Sequence, residues 1–514
     1  MTRDQRDQLI TAGLFVLGMI GVGLSNGRYA TTVGPWVALP LLLVFLDRAG
    51  PWRGLVWLVP AHVLVHIVSW RGIIPAPGWI YIAVAAAYGL CFAIPFVVDA
   101  VAGARDRRPF AGTLVFPAAW VALELALARL TPYGSWGAIA YTQIEVLPLT
   151  QLASAVGTAG VAFLIAWTGA IVAWVVARRG AALPVPRAGW VAWVVVLLAA
   201  VVYGELRLGR SPGPAEHVRV ALLAPSPALR GAFDQEFRAS FQSGDAADAG
   251  AARLRTTSEA VIADLVARTR REARAGAAIV AWAETAAKVF GTDADAFTER
   301  MGRLAAEERI HLVVGLGVWT ADATPPLRNA LLAFEPDGRL AWTFDKAHPI
   351  IGGEASLVDA GDGILPAWDT PYGRLTAAIC HDFDFAPLLH QAGDMRAVVA
   401  LAPSDDWRTI AWLHADMARV RAVEQGLTLL RPAYGVSLVA SPEGRVLAAG
   451  NTFDGAGTVV ATVPLRRVRT VYAMLGDAFA WLCLIGLLVL IPLVRRPRHA
   501  VGPDRDAAVT SRGS

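Results

Sequence analysis

Cys380, Glu284 and Lys346 are the residues in this chain best suited to do chemistry together. Each follows a short apolar run that reads as a buried strand. Ala277-Ala-Ile-Val-Ala-Trp282 runs into Glu284, Leu340-Ala-Trp-Thr-Phe344 into Lys346, and Leu375-Thr-Ala-Ala-Ile379 into Cys380. A thiol attacks a carbonyl carbon well only as thiolate, and near neutral pH a free cysteine is mostly protonated. A carboxylate could take that proton, while an ammonium could lower the thiol pKa and steady the oxyanion formed on attack. The set therefore suits acyl transfer through a thioester. By chemistry alone, three residues so far apart could also be unrelated.

Composition supports singling them out. The chain has only two lysines, Lys288 and Lys346, among 46 basic residues. Lysine kept where arginine serves elsewhere suggests a need for a compact ammonium. Of three cysteines, Cys91 and Cys483 lie in apolar segments and read as packing residues, so no disulfide framework is expected. The net charge of +4, with dispersed arginines, does not argue for nucleic acid.

The elements that position the site begin with membrane spans. An apolar fraction of 55% and a mean hydropathy of +0.48 exceed those of an ordinary soluble enzyme. Seven segments before residue 205 are long enough to cross a bilayer at roughly 20 residues each. They centre on Leu9–Leu24, Thr32–Leu46, Leu55–Trp70, Trp79–Val98, Leu114–Leu130, Leu152–Val176 and Trp190–Tyr203, with an eighth at Phe479–Val494. The first lacks a cleavage site and reads as a retained anchor. Arginines gather before the first span and after the second, fourth, sixth and eighth. The positive-inside rule then puts both termini in the cytoplasm and residues 206–477 outside. The expected division is a membrane domain at 1–205, a linker at 206–216, a catalytic domain at 217–468, a terminal span at 469–495 and a disordered tail at 496–514. Strands alternating with helices in the external part indicate a layered α/β domain.

The order and setting of Glu284, Lys346 and Cys380 resemble the carbon–nitrogen hydrolase (nitrilase) superfamily. With the spans added, the chain resembles the apolipoprotein N-acyltransferase family. The family's Trp-Pro-Glu-Thr motif appears as Trp282-Ala-Glu-Thr285, and its Tyr-Asp/Asn-Lys-x-His motif as Phe344-Asp-Lys-Ala-His348. Arg328-Asn-Ala-Leu-Leu-Ala-Phe-Glu-Pro-Asp-Gly338, Gly353-Glu354 and His414-Ala-Asp-Met-Ala-Arg-Val-Arg-Ala-Val-Glu424 also correspond. In the membrane part Pro132-Tyr-Gly-Ser-Trp136, Gln143, Gln151 and Gly157-Thr-Ala-Gly160 match. There are departures. His381-Asp382 stands where the family has Tyr-Glu, Pro349-Ile-Ile-Gly-Gly-Glu354 replaces Leu-Val-Pro-Phe-Gly-Glu, and Asp405-Asp406-Trp407-Arg408 replaces Asn-Asp-x-Trp-Phe. Ala224-Pro-Ser226 and Phe233 replace a Gln-Gly-Asn and a Trp.

The resemblance implies an αββα sandwich inserted among seven spans before and one after. It implies that Cys380 takes an acyl chain from a phospholipid and passes it to the α-amine of a diacylglyceryl-cysteine in an apolipoprotein, with Glu284 as base and Lys346 on the oxyanion. The enzyme would be a monomer of the bacterial inner membrane, its catalytic domain on the periplasmic side, without cofactor. Glu354, Asp382, His381, Trp136 and Phe233 are the expected supporting or substrate-binding residues. Glu354 also reads as a solvated loop residue, and Trp136 as an interfacial anchor. Arg419, Arg421 and Glu424 read as a salt-linked helix face. His381, Asp382 and Asp384 lack a metal-ligand spacing, so no metal is expected. An amidase or an acyltransferase with another amine acceptor is the alternative, and a non-catalytic lipid- or lipoprotein-binding relative a second.

Overall fold

In hydrocarbon a chain must satisfy its own backbone hydrogen bonds, so long apolar stretches become helices. The computed structural model describes residues 2–76, 78–103, 105, 108–210, 216–242, 249–320, 323–455 and 457–495. Among them, five helices are long and apolar enough to cross a membrane: Pro51–Ser69, Gly78–Val101, Phe110–Leu130, Ala153–Gly180 and Arg187–Gly209. The other expected spans are also helical but marginal by the same measure. Arg3–Gly23 opens on Arg3, Asp4, Arg6 and Asp7, Gly34–Ala49 has 16 residues, and the terminal helix Ala478–Arg495 has 18. Of the expected linker 206–216, residues 206–209 finish the helix Arg187–Gly209 and Glu216 opens a strand, while 211–215, like the expected tail 496–514, lie outside the described residues.

The helices pack closely. A Cβ added at Gly204 would lie 1.8 Å from the carbonyl oxygen of Pro148, so only glycine allows that approach. Gly157, at φ +69°, breaks the first turn of Ala153–Gly180 and frees the N–H of Thr158 to point outward.

The catalytic part contains, in chain order, β1 (Glu216–Leu223), β2 (Ile279–Trp282), β3 (Ala287–Phe290), β4 (His311–Trp319), β5 (Leu327–Phe334), β6 (Leu340–Asp345), β7 (Trp368–Thr370) and β8 (Gly373–Ala377). After them come β9 (Val399–Leu401), β10 (Ser404–Asp405), β11 (Thr428–Arg431), β12 (Ala433–Tyr434), β13 (Val436–Ala440), β14 (Val446–Asn451) and β15 (Thr458–Leu465). One sheet runs β15-β1-β2-β4-β5-β6 with β3 beside β4, and the other β14-β13-β11-β9-β8-β7. The period of two sorts side chains between layers. Val220 and Leu222 of β1 enter the core between the sheets with Leu375, Ala377, Val399 and Leu429. Ala221 and Leu223 face the opposite way, toward Val261, Leu265, Met301 and Leu304 of the helices Ala249–Arg274 and Ala294–Glu308. The helices Ala386–Asp394 and Ala411–Gln425 pack Leu389, Ala415 and Ala418 against the second sheet. The result is the expected αββα sandwich. The helices Pro227–Gln242 and Ala386–Asp394 and strands β3, β7, β10, β11, β12 and β14 add to the elements legible in the sequence.

A buried polar seam joins the two parts. Arg421 donates to Ser135 Oγ at 3.1 Å and to the hydroxyl of Tyr141, while Glu424 accepts from Thr158 N at 2.9 Å. Arg421 and Glu424 also pair with each other. Arg419 donates to the carbonyl of Gly444 and pairs with Glu145 at 2.7 Å. The helix face is salt-linked as expected, and all three residues on it are also buried. The membrane domain covers that face, so its charges are partnered across the seam.

Candidate active site

Glu284, Lys346 and Cys380 each leave the C-terminal end of a strand, on β2, β6 and β8 respectively. Glu284 is buried and its Oε1 accepts from Lys346 Nζ at 2.8 Å and from Asn329 Nδ2 at 2.7 Å. Lys346 Nζ also pairs with Glu354 Oε1, so one ammonium sits between two carboxylates. The backbone of Lys346 is tied down by its N–H to Asn329 O at 2.9 Å and its carbonyl from Gly361 N at 2.8 Å. Glu354 additionally accepts from Ile350 N at 3.1 Å and is therefore part of the cluster, beyond a solvated loop.

Cys380 begins the 3₁₀ turn Cys380–Asp384 and adopts φ +49°, a left-handed conformation uncommon for a residue with a Cβ. Its N–H donates to Pro403 O at 2.9 Å, which pins the strained residue to the neighbouring chain. Burial pushes its thiol up to about 12; Glu284 adds to that, while Lys346 and His414 oppose it. The resting group is thus a thiol, within the electrostatic reach of one carboxylate and two cationic side chains. Burial, only partly offset by Lys346, raises the Glu284 carboxyl, which makes it a better proton acceptor. Burial works against the Lys346 charge, but Glu284, the Cys380 sulfur and Glu354 hold it as an ammonium well above its ordinary range.

Asp382 pins the turn. Its carboxylate accepts from Ile379 N at 3.1 Å, His348 N at 2.8 Å, Ala347 N at 3.3 Å and lies 2.9 Å from His348 Nδ1. One side chain thereby couples the Cys380 turn to the segment that follows Lys346. His381 is also buried, with Nδ1 2.6 Å from Asp384 Oδ2 and Nε2 3.1 Å from Pro132 O of the membrane domain. The Trp136 ring lies 5.9 Å from that of His414, tilted by 30°. It lines a narrow, mostly apolar cavity with Trp70, Ile74, Tyr88, Ile410 and His381, so the seam itself forms the cavity wall. Phe233 is not brought into this cluster; it is buried, with the Lys288 ammonium 5.2 Å from its ring.

Several residues at the site had no role assigned from sequence. Asn329 orients Glu284, His414 and Asp406 stand beside Cys380, and Arg431 holds Asp406. Asn329, Asp406 and His414 fall inside stretches that resemble family motifs, yet no local pattern says that they converge. Cys380, Asp406 and His414 offer ligand atoms within 4.8 Å of one another. Both Asp406 oxygens are already engaged, one by His414 at 2.7 Å and one by Arg431 at 2.6 Å, which fits a charge relay better than a metal site.

Two family models match this chain. Residues 20–171 match the apolipoprotein N-acyltransferase N-terminal domain, and residues 246–473 match carbon-nitrogen hydrolase. Together the two matches span most of the chain, which is similar to the apolipoprotein N-acyltransferase family in both its parts. Among curated members, the Geobacter metallireducens apolipoprotein N-acyltransferase is 27% identical over 86% of this chain and 81% of its own length. Those of Bradyrhizobium diazoefficiens and Rhodopseudomonas palustris are 27% and 25% identical, each over 70% of this chain and 69% and 70% of theirs. Among solved structures, an amidase from Nesterenkonia sp. is similar over 49% of this chain and 94% of that one, at 18% identity and a TM-score of 0.37. The αββα assignment stands on the chain's own two sheets.

Proposed function

We propose that this chain is an inner-membrane acyltransferase that moves a fatty acyl group from a phospholipid, through a thioester on Cys380, to the N-terminal amine of a diacylglyceryl-cysteine apolipoprotein. The observation that carries this reading is the buried Glu284–Lys346–Glu354 cluster beside a left-handed Cys380, next to an apolar cavity that the membrane helices help to wall. A soluble amidase would have no use for such a wall; a substrate anchored in lipid would.

In the first half-reaction Glu284 takes the Cys380 proton and the sulfur attacks the ester carbonyl. A C–S bond forms, and the π electrons move onto oxygen, where the Lys346 ammonium steadies the charge. The tetrahedral adduct collapses, the C–O bond breaks, and Glu284 returns its proton to the departing lysophospholipid oxygen. In the second half the acceptor amine loses a proton to Glu284 and attacks the thioester. The C–S bond then breaks, and the proton returns to the Cys380 sulfur. Two sequential half-reactions through one covalent intermediate give ping-pong kinetics. Lys346 has no second assignment, since both its carboxylate partners hold it charged. The arginine distribution supports cytoplasmic termini, with the catalytic domain and its seam cavity at the outer leaflet.

Intact-protein mass spectrometry after incubation with phospholipid tests the reading. A hydroxylamine-sensitive acyl adduct, absent in Cys380→Ala and discharged by a diacylglyceryl-cysteine peptide, is expected. An adduct that the peptide cannot discharge would assign another acceptor, and its absence from folded protein would overturn the acyltransferase assignment.

A further inference from the structure

Beside Cys380 stands a charged group that the Glu284–Lys346 chemistry leaves unused. The helix Ala411–Gln425 buries His414, leaving it 2% exposed, with a ring nitrogen, the Cys380 sulfur and an Asp406 oxygen all within 4.8 Å of one another. The Nδ1–H donates to Asp406 Oδ1 at 2.7 Å, and Arg431 holds the other Asp406 oxygen at 2.6 Å. The Nε2 has no hydrogen-bond partner among the described residues and faces Asp384 Oδ2 at 3.5 Å. A buried ring nitrogen oriented from behind and unpartnered in front is built to meet something in the site.

We propose that His414 is a second cationic partner of Cys380: an imidazolium, oriented by Asp406, whose Nε2–H stabilises the thiolate once Glu284 has taken the proton. The proposal rests on the thioester reading above. The Cys380 proton goes to Glu284 and the sulfur lone pair goes to the acyl carbon, while His414 keeps both its protons throughout. It needs no additional reactant.

The surroundings agree with a standing positive charge. Asp384 faces His414 from the Cys380 turn, and Asp406 from the end of β10. Against them stand Arg431 of β11, 3.3 Å from Nδ1, and His381, which shares Asp384 Oδ2 at 2.6 Å. From the membrane domain the uncharged Trp136 ring lies against it. Burial opposes the charge, but Asp384, Asp406 and the sulfur outweigh it and raise the imidazole well above its ordinary range. Lys346 is engaged by two carboxylates at close range, whereas the carboxylate facing His414 Nε2, that of Asp384, stands off at 3.5 Å and competes less for the N–H.

The test is the iodoacetamide alkylation rate of Cys380 in the detergent-purified full chain, read by peptide-resolved mass spectrometry from pH 6 to 9. His414→Ala is expected to slow alkylation ten-fold or more at every pH. Added imidazole should restore it by a factor that follows the protonated imidazole, greater at pH 6.5 than at pH 8. Rescue that grows with neutral imidazole would make His414 a base and overturn the proposal, as would an unchanged rate or no rescue in a folded variant. Should His414→Ala fail to fold, Asp406→Asn carries the test. Its log rate should rise less steeply than wild type between pH 6 and 8, where the weakened imidazolium loses its proton; a parallel line would overturn the proposal. Alkylation needs neither phospholipid nor acceptor, so a wild-type chain that forms no acyl adduct would sink the acyltransferase reading without touching this result.

Discussion

Glu424 Oε1 accepts a hydrogen bond at 2.9 Å from the backbone N–H of Thr158, across the seam between the sandwich and the membrane helices. The N–H is free because Gly157, at φ +69°, interrupts its own helix there. The other Glu424 oxygen takes Arg421, whose guanidinium reaches Ser135 and Tyr141 of the membrane part. Glu424→Ala leaves Arg421 buried without its counter-charge, and removing one partner of a buried pair costs about 3–5 kcal/mol. Thermal unfolding in detergent should show a clearly lowered midpoint. An unchanged midpoint would mean that the seam does not depend on this pair.

Glu284 and Lys346 separate by their effect on thioester formation. Glu284→Gln keeps the shape of the cluster but removes the proton acceptor, and is expected to slow acylation by about 10²–10⁴-fold. Lys346→Met removes the oxyanion partner, with an expected loss of about 10²–10³-fold. Single-turnover appearance of the acyl adduct, followed by intact mass, reads both directly. Rates within a few-fold of wild type would exclude these roles.

Asp382 collects backbone N–H groups from Ile379 and His348 and so sets the Cys380 turn against the Lys346 segment. Asp382→Ala should slow acylation at least about ten-fold through misplacement, since small displacements of reacting groups are costly. The donor KM should change much less. A variant affected only in KM would move Asp382 from positioning to substrate binding.

The thiol of Cys380 is pushed up to about 12 by burial and then by the Glu284 charge, so the group favours its protonated form through the neutral range. Alkylation of the resting enzyme should therefore climb by about ten-fold per pH unit from pH 7 to 9, following the thiolate fraction. A rate that levels off below pH 8 would show a resting thiolate instead.

The three strand ends were legible because a strand's apolar run and its abrupt polar stop are local properties of the chain. Glu284, Lys346 and Cys380 could each be placed after its own strand, and the apolar helices before residue 210 could be recognised by length and composition. Strands alternating with helices indicated only a layered α/β domain; the αββα sandwich was an expectation from the family resemblance. What could not be read locally was which side chains share a site. His414 lies 34 residues beyond Cys380 on a helix whose face reads as ordinary charged surface, yet a turn, two other strands and Trp136 close around it. Arg421 and Glu424 have the spacing of a solvated ion pair, and only the membrane domain laid over them makes them a buried staple. Periodicity tells which face of an element is apolar. Whether a polar group faces water or a partner depends on what tertiary packing places opposite it, and in this protein that partner comes from a different domain.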